Sequence, residues 1–490
     1  MKYAQGIADS LISGKFPIQW PERALGPCPT LKQIKTVCWL QFAAILILFF
    51  VVDGPKIRNK TGVYSDYHCD FIYLYGDGHI FNAYPATRLY DYSLQTQVFN
   101  GINPPVGKVS YGPSPYPPFV AMFFGPFARL PFSPAYCLWL AASLCLYVAG
   151  VRFALVTAFP TDRLMRSLIL CFSVAYFPFL VHTLANGQLA TVGVFFVGLT
   201  IFLEDRSKPL LGGLALSLLT YKPTLLIVIV PMLLLTRRFR MLYGFTLGSA
   251  ALAAVSTAVD GLAIWPAYIH FIGIFGKLVG LKGNSQLNLA VYMDLSSISH
   301  AIKGGRSTVG LTLLMAAISV VVVIFSWLLW KSCRGGKPVV CLVWAATLTW
   351  TLLLNVYVPI YDTILVAIAI ALVLGALKDL GWHAATGWIS LLSLAIFFMS
   401  WKTVQIAERF RGVQVLSILL FILGSAEFYF LYRAIRLGKA LDTGQDLTLN
   451  ETVPLLPIEN EHAEICARSF DSRNGETSQL SQHNVRMGNI

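Results

Sequence analysis

The residues best suited to chemistry lie in one stretch, TGVYSDYHCDFIYLYGDGHIFNAYPATRLYDYS, over 61–93. It carries Asp66, Asp70, Asp77 and Asp91 among the aromatics Tyr64, Tyr67, Phe71, Tyr73, Tyr75 and Tyr90. Asp70 and Asp77 are seven residues apart, so both carboxylates share one face if the stretch is helical. A carboxylate beside a hydroxyl can act as a general base, and aromatic rings suit the faces of sugars. A plainer account also fits: acidic residues that solvate a loop, and tyrosines that anchor it at a membrane interface.

Further polar positions interrupt apolar runs. LANGQLA places Asn186, Gly187 and Gln188 between two such runs, which also suits a tight Asn-Gly turn. LALSLLTYKPTLLIVIVP places Lys222 in an otherwise apolar stretch, where an ammonium needs a counter-charge or a cavity. A lipid phosphate would satisfy it, and so would snorkelling to the interface. KLVGLKGNSQLNLAVYMD adds Lys277, Lys282, Asn284, Gln286 and Asn288. NVYVPIYDTILV adds Asn355, Tyr357, Tyr361 and Asp362, the last of which could equally be a helix cap.

The elements that must position these residues are membrane helices. Of 490 residues, 56% are hydrophobic and 12% charged, against about 25% charged in a soluble domain. The apolar runs are continuous rather than alternating, which excludes a β-barrel. Spans are expected at 36–52, 134–157, 167–185, 189–203, 209–221, 223–236, 241–259, 308–330, 338–356, 361–377, 383–401 and 413–432. The fold class is therefore an all-α polytopic membrane protein of about 12 transmembrane helices, each able to cross about 30 Å of hydrocarbon. Its first outside loop is long (53–133), and the apolar 118–130 within it is too short to span. Two crossings inside 209–236 require short or broken helices turned at Lys222-Pro223.

Orientation follows Lys and Arg. Loops assigned inside hold Arg163, Arg166, Arg206, Lys208, Arg237, Arg238, Arg240, Lys331, Arg334, Lys337 and Lys378, against Lys222, Lys402, Arg409 and Arg411 outside. Residues 1–35 are then a cytoplasmic segment, 36–437 the transmembrane domain and 438–490 a polar, disordered cytoplasmic tail. The net charge of +13 follows the same loop bias, and no basic stripe with interleaved aromatics marks a nucleic-acid partner. Nine cysteines without paired spacing support neither a disulfide framework nor a zinc site.

Several short motifs occur in a fixed order: Asp70-Phe71, Leu89-Tyr90-Asp91, Tyr116-Pro117-Pro118-Phe119, Gly125-Pro126-Phe127, Leu130-Pro131, Asn186-Gly187-Gln188, Gly212-Gly213-Leu214 to Lys222-Pro223, and Arg237-Arg238. The series resembles glycosyltransferase family 87 of the GT-C superfamily, over about 36–435. That family includes bacterial polyprenyl-phosphate-mannose-dependent mannosyltransferases. The resemblance implies an inverting transfer, on the periplasmic face of a bacterial inner membrane, of a hexose or pentose, mannose first. The donor would be a polyprenyl-phosphate sugar and the acceptor a glycolipid or glycan. Carried over by position, Asp70 is the catalytic base and Lys222 holds the departing phosphate, with Arg88 and Lys282 as further phosphate candidates. Asp66, Asp77, Tyr75, Tyr116, Asn186, Gln188, Asn284, Tyr361 and Asp362 are expected to bind substrate. The spacing Asp66-Tyr67-His68-Cys69-Asp70 is longer than an acidic DxD pair, so no metal and no cofactor is expected. A transporter or flippase of lipid-linked sugars would share the span count, but would place its coupling residues at the bilayer midplane.

Overall fold

A computed structural model describes residues 31–52, 70–102, 111–280, 291–295, 308–333, 335–355, 358–410 and 414–443. Residues Pro29–Gly438 fall in one compact unit. The described residues are helical throughout, with α1 (Leu31–Val52), α2 (Phe71–Ala83), α3 (Tyr92–Ile102), α4 (Pro118–Phe124), α5 (Phe132–Ala158) and α6 (Arg163–Val174) in the first part. There follow α7 (Ala190–Asp205), α8 (Pro209–Leu216), α9 (Leu226–Leu235), α10 (Phe239–Asp260), α11 (Ile264–Gly280) and α12 (Thr308–Lys331). The last are α13 (Lys337–Leu353), α14 (Val366–Asp379), α15 (His383–Met399), α16 (Thr403–Arg409) and α17 (Val415–Thr443).

Among the described residues, Phe132–Ala158, Phe239–Asp260, Ile360–Asp379 and Val415–Gly438 are long and apolar enough to cross a membrane. Two bent pairs add to these if each is one span: α6 with the π-helical turn Pro178–Leu184, at 51°, and α15 with α16, at 66°. The described residues are thus those of a polytopic, helical membrane protein, with four to six helices able by length and composition to cross a membrane. Shorter apolar helices accompany them, among them Pro209–Tyr221 and Pro223–Leu235. Each of these two is part 3-10 helix, and they meet at Lys222-Pro223, where the sequence placed a break. Proline opens α4, α8 and the π turn, where its missing N–H would find no helical partner in any case.

The core sits around α13 and α14. From Cys341 to Leu353 every residue of α13 is buried, as is nearly all of α14, and a helix apolar on all sides belongs inside a bundle. By contrast α10 and α12 keep Tyr243, Leu247, Val320 and Val323 exposed, the surface a lipid-facing helix presents.

A second layer is built from residues 70–102 and 111–133. In it α2 is buried on two sides: Phe71, Leu74 and Tyr75 pack with Phe124, Tyr136 and Trp139, while Ile72 and Ile80 pack with Tyr90, Phe99 and Phe271. The sequence left 264–280 in a loop, whereas the structure makes it α11. Ile264, Tyr268, Phe271 and Phe275 recur at helical spacing and lie against the α2–α3 layer, with the Tyr268 and Phe271 rings 5.1 and 5.5 Å from Tyr90. At the other end of the chain, α17 continues to Thr443, past the expected boundary at 437.

Candidate functional site

The candidate site forms where α2 begins and where three helix breaks converge on it. Asp70 occupies the N-cap position of α2, yet its side chain makes no capping bond. An aspartate there normally accepts from the first turn. Here the backbone does the work instead: Phe71 N–H donates to the Asn186 carbonyl at 3.0 Å and Tyr73 N–H to the Asp70 carbonyl at 3.1 Å. The Asp70 carboxylate makes no cap and lies within the field of Lys222 and near Tyr116. Burial raises it to about 7, and the Lys222 ammonium pulls it the other way.

Asn186 belongs to the turn between the π segment and α7. Gly187 takes φ +67°, and a Cβ there would stand 2.7 Å from Phe71 Cβ, so the turn needs glycine for both its dihedral and its closeness to α2. Gln188 is buried, its N–H bonded to the Thr183 carbonyl at 3.0 Å.

Lys222 sits at the break between Ser217–Tyr221 and Pro223–Leu225. Its ammonium pairs with Asp362 Oδ2 and lies 4.8 Å from the centroid of the Tyr361 ring. The Asp362 side chain is 1% exposed and that of Lys222 14%, so the pair is largely screened from water. Asp362 Oδ1 is buried without a hydrogen bond. Two contacts hold the halves together. Asn355 Nδ2 donates to the Thr224 carbonyl at 2.9 Å, and Thr183 Oγ1 donates to the Tyr361 carbonyl at 3.2 Å. The strand-like segment before Asp362 is braced by Tyr292 opposite Pro359 and by Val358 N–H on Asp294 Oδ2 at 3.1 Å.

The second acid of α2 lies deeper. Asp77 is buried, accepts from Ser114 Oγ at 2.5 Å, and its Oδ1 has no partner. Ser114 is in turn fixed by Gln95, whose Oε1 accepts the Ser114 N–H at 3.1 Å. Burial drives the Asp77 carboxyl well above the usual carboxylate range, against the Ser114 bond. Two carboxyls on one helix face are thereby set apart, with Asp70 the one that titrates near neutrality. The Tyr116 phenol is raised well above its ordinary value, first by burial and then by the fields of Asp70, Tyr221, Asp362 and Asp77, which places these groups around it.

Asp70, Asp77, Tyr116, Asn186, Gln188, Lys222, Tyr361 and Asp362 therefore gather at one end of the bundle. Others face elsewhere. Tyr75 donates its hydroxyl to the Leu130 carbonyl at 2.8 Å and packs on Phe71 and Phe132. Arg88 holds Asp91 at 2.7 Å, both partly exposed, and so lowers the Asp91 carboxyl. Asp66, Lys282 and Asn284 lie outside the described residues. Sequence reasoning missed Ser114, Gln95, Tyr136 and Trp139. Ser114 sits in a proline-rich stretch and Trp139 in an unbroken apolar run, so neither announces a polar partner. Among the described residues no cluster of His, Cys, Asp or Glu is arranged to hold a metal ion.

The family model for glycosyltransferase family 87 matches residues 115–355. The match contains Tyr116, the Asn186-Gly187-Gln188 turn and Lys222, while Asp70, Asp77 and Asp362 lie outside it and reach the pocket through the fold. No curated protein and no solved structure matches the chain.

Proposed function

We propose, from the chain's membership of glycosyltransferase family 87, that it is an inverting enzyme of GT-C type that uses a polyprenyl-phosphate sugar as donor. The sugar is a hexose or pentose, mannose first, and the acceptor is a glycolipid or glycan outside the cytoplasm. The reading includes twelve crossings with both termini cytoplasmic, in a bacterial inner membrane.

One observation carries it: a carboxylate poised near neutrality and left uncapped at a helix start, within the field of a half-buried lysine. In the reaction an acceptor hydroxyl oxygen forms a bond to the anomeric carbon from the side opposite the phosphate. Its proton passes to an Asp70 carboxylate oxygen. The bond from the anomeric carbon to the phosphate oxygen breaks, and polyprenyl phosphate leaves with the electron pair. Lys222 is placed to stabilise the charge gathering on that phosphate, a contribution of several kcal/mol in a water-poor site. Tyr116 and Asp77, which lie close enough to feel each other's fields, would offer hydroxyl and carboxyl contacts to sugar hydroxyls.

Transfer from a labelled polyprenyl-phosphate sugar in reconstituted vesicles tests the reading. Asp70→Asn should lose about 10²–10⁴-fold in rate, the usual range for a general base. Undiminished product from Asp70→Asn would remove that residue from the mechanism. Donor crossing the bilayer without product would favour a transporter.

A further inference from the structure

The structure assigns Trp139 a positioning role: its indole N–H locks the turn that orients Asp70. The inference rests on the reading of Asp70 as base. Three consecutive carbonyls of the turn each receive a donor from another element. The Ala185 carbonyl accepts the Tyr136 hydroxyl, the Asn186 carbonyl accepts Phe71 N–H at 3.0 Å, and the Gly187 carbonyl accepts Trp139 Nε1 at 2.8 Å. The outer two donors come from α5, three residues apart and therefore on one face of that helix. The middle bond belongs to the residue that follows Asp70.

The consequence is geometric. Holding the carbonyls on either side of Asn186 fixes the direction of its own carbonyl, and hence of Phe71 N–H and the first turn of α2. Held in this way, Asp70 keeps helical dihedrals (φ −66°, ψ −12°) rather than the extended ones of a capping residue, and its side chain makes no cap. Trp139 and Tyr136 are each 1% exposed, and the Trp139–Gly187 bond is buried. Without the indole bond, the Gly187 peptide can rotate, the start of α2 is released with it, and Asp70 can relax into the extended dihedrals from which an N-cap aspartate accepts from its own first turn. A carboxylate that caps a helix is held lower in pKa and further from an acceptor hydroxyl.

The test uses the full-length chain in vesicles with polyprenyl-phosphate mannose and a glycolipid acceptor. Trp139→Phe keeps the ring and deletes the N–H. We expect kcat to fall between about 10-fold and 100-fold with donor KM held within about twofold, the pattern of a displaced catalytic group. The acidic limb of the kcat profile should move down from its wild-type position, and Trp139→His, which retains a ring N–H, should recover part of the rate. If Trp139→Phe does not yield monodisperse protein, Tyr136→Phe removes a single oxygen from the Ala185 carbonyl and is read in the same way. Unchanged kcat and acidic limb in the folded variant would overturn the inference, as would parallel loss of kcat and KM without a shifted limb. An inactive Asp70→Asn beside an unperturbed Trp139→Phe would remove the positioning role alone. A fully active Asp70→Asn would remove the general-base reading first.

Discussion

Lys222 has two neighbours of the same sign, and they separate its structural work from its chemical work. Asp362 is its bonded partner, whereas Asp70 only feels its charge. Deleting the charge with Lys222→Gln strands Asp362, and a buried ion left without its partner costs about 3–5 kcal/mol. Adding Asp362→Asn should recover most of that stability, measured as the melting temperature in detergent. The effect on the reaction has a definite sign. Asp70 works as a base in its ionised form, so rate rises with pH through its pKa of about 7. Lys222 lowers that pKa, so Lys222→Gln should move the acidic limb of kcat upward while the rate falls. A limb that stays in place would show that the two groups do not communicate. Both residues were visible in the sequence because a charge beside apolar runs has few ordinary explanations. The pairing of Lys222 with Asp362 was not, since the two are 140 positions apart and each alone read equally well as a snorkelling cation or a helix cap.

At the scale of elements, the pocket depends on how closely α5 approaches α7, because that approach brings Trp139 to Gly187. The contact is made through glycine: a Cβ on Gly198 would stand 2.1 Å from the Gly150 carbonyl oxygen. Small residues let membrane helices pack backbone to backbone, and a backbone oxygen cannot swing aside as a side chain can. Gly198→Ala should therefore destabilise by about 1–3 kcal/mol through overpacking, more than offsetting the up to about 1 kcal/mol that alanine gains in helix propensity. Gly387 in α15 has nothing within 4 Å, so Gly387→Ala should keep the propensity gain and melt slightly higher. If Gly198→Ala melts at or above wild type, the tight crossing is not present in the membrane. Hydropathy located these helices but was blind to their crossings, since it scores glycine by transfer energy rather than by the space it leaves. The same blindness hid α11, whose apolar residues at 264, 268, 271 and 275 follow a helical period over a stretch shorter than most spans.

For the whole molecule, the helices themselves supply a ruler. α7 begins just after Gln188 and ends at Asp205, and α14 begins just after Asp362 and ends at Asp379 beside Lys378. α9 starts after Lys222 and stops before Arg237, whereas α13 runs from Lys337 to Leu353, two residues short of Asn355. The acid–base pocket and the ion pairs Glu204–Arg238, Asp205–Lys337 and Asp162–Lys378 thus sit at opposite ends of shared helices. The 16 residues of α7 alone separate them by roughly 24 Å at 1.5 Å per residue, most of a hydrocarbon core. Loop charge had suggested this division, because Lys and Arg gathered where the structure puts these pairs. What the charge pattern could not disclose is that Glu204 also accepts the Trp344 indole at 2.6 Å, fastening α7 to α13 as well as to Arg238. Under the proposed orientation the pocket end faces outward and the paired end faces the cytoplasm. Cysteine labelling with a membrane-impermeant maleimide checks it on intact cells, read over the wild-type background. Arg88→Cys lies beside the pocket layer on a half-exposed side chain, so it should label from outside. Lys208→Cys lies exposed between α7 and α8 at the paired end, so it should label only after the membrane is opened. The reverse pattern would turn the molecule over and put the sugar transfer on the cytoplasmic face, where a donor displayed outside could not be used.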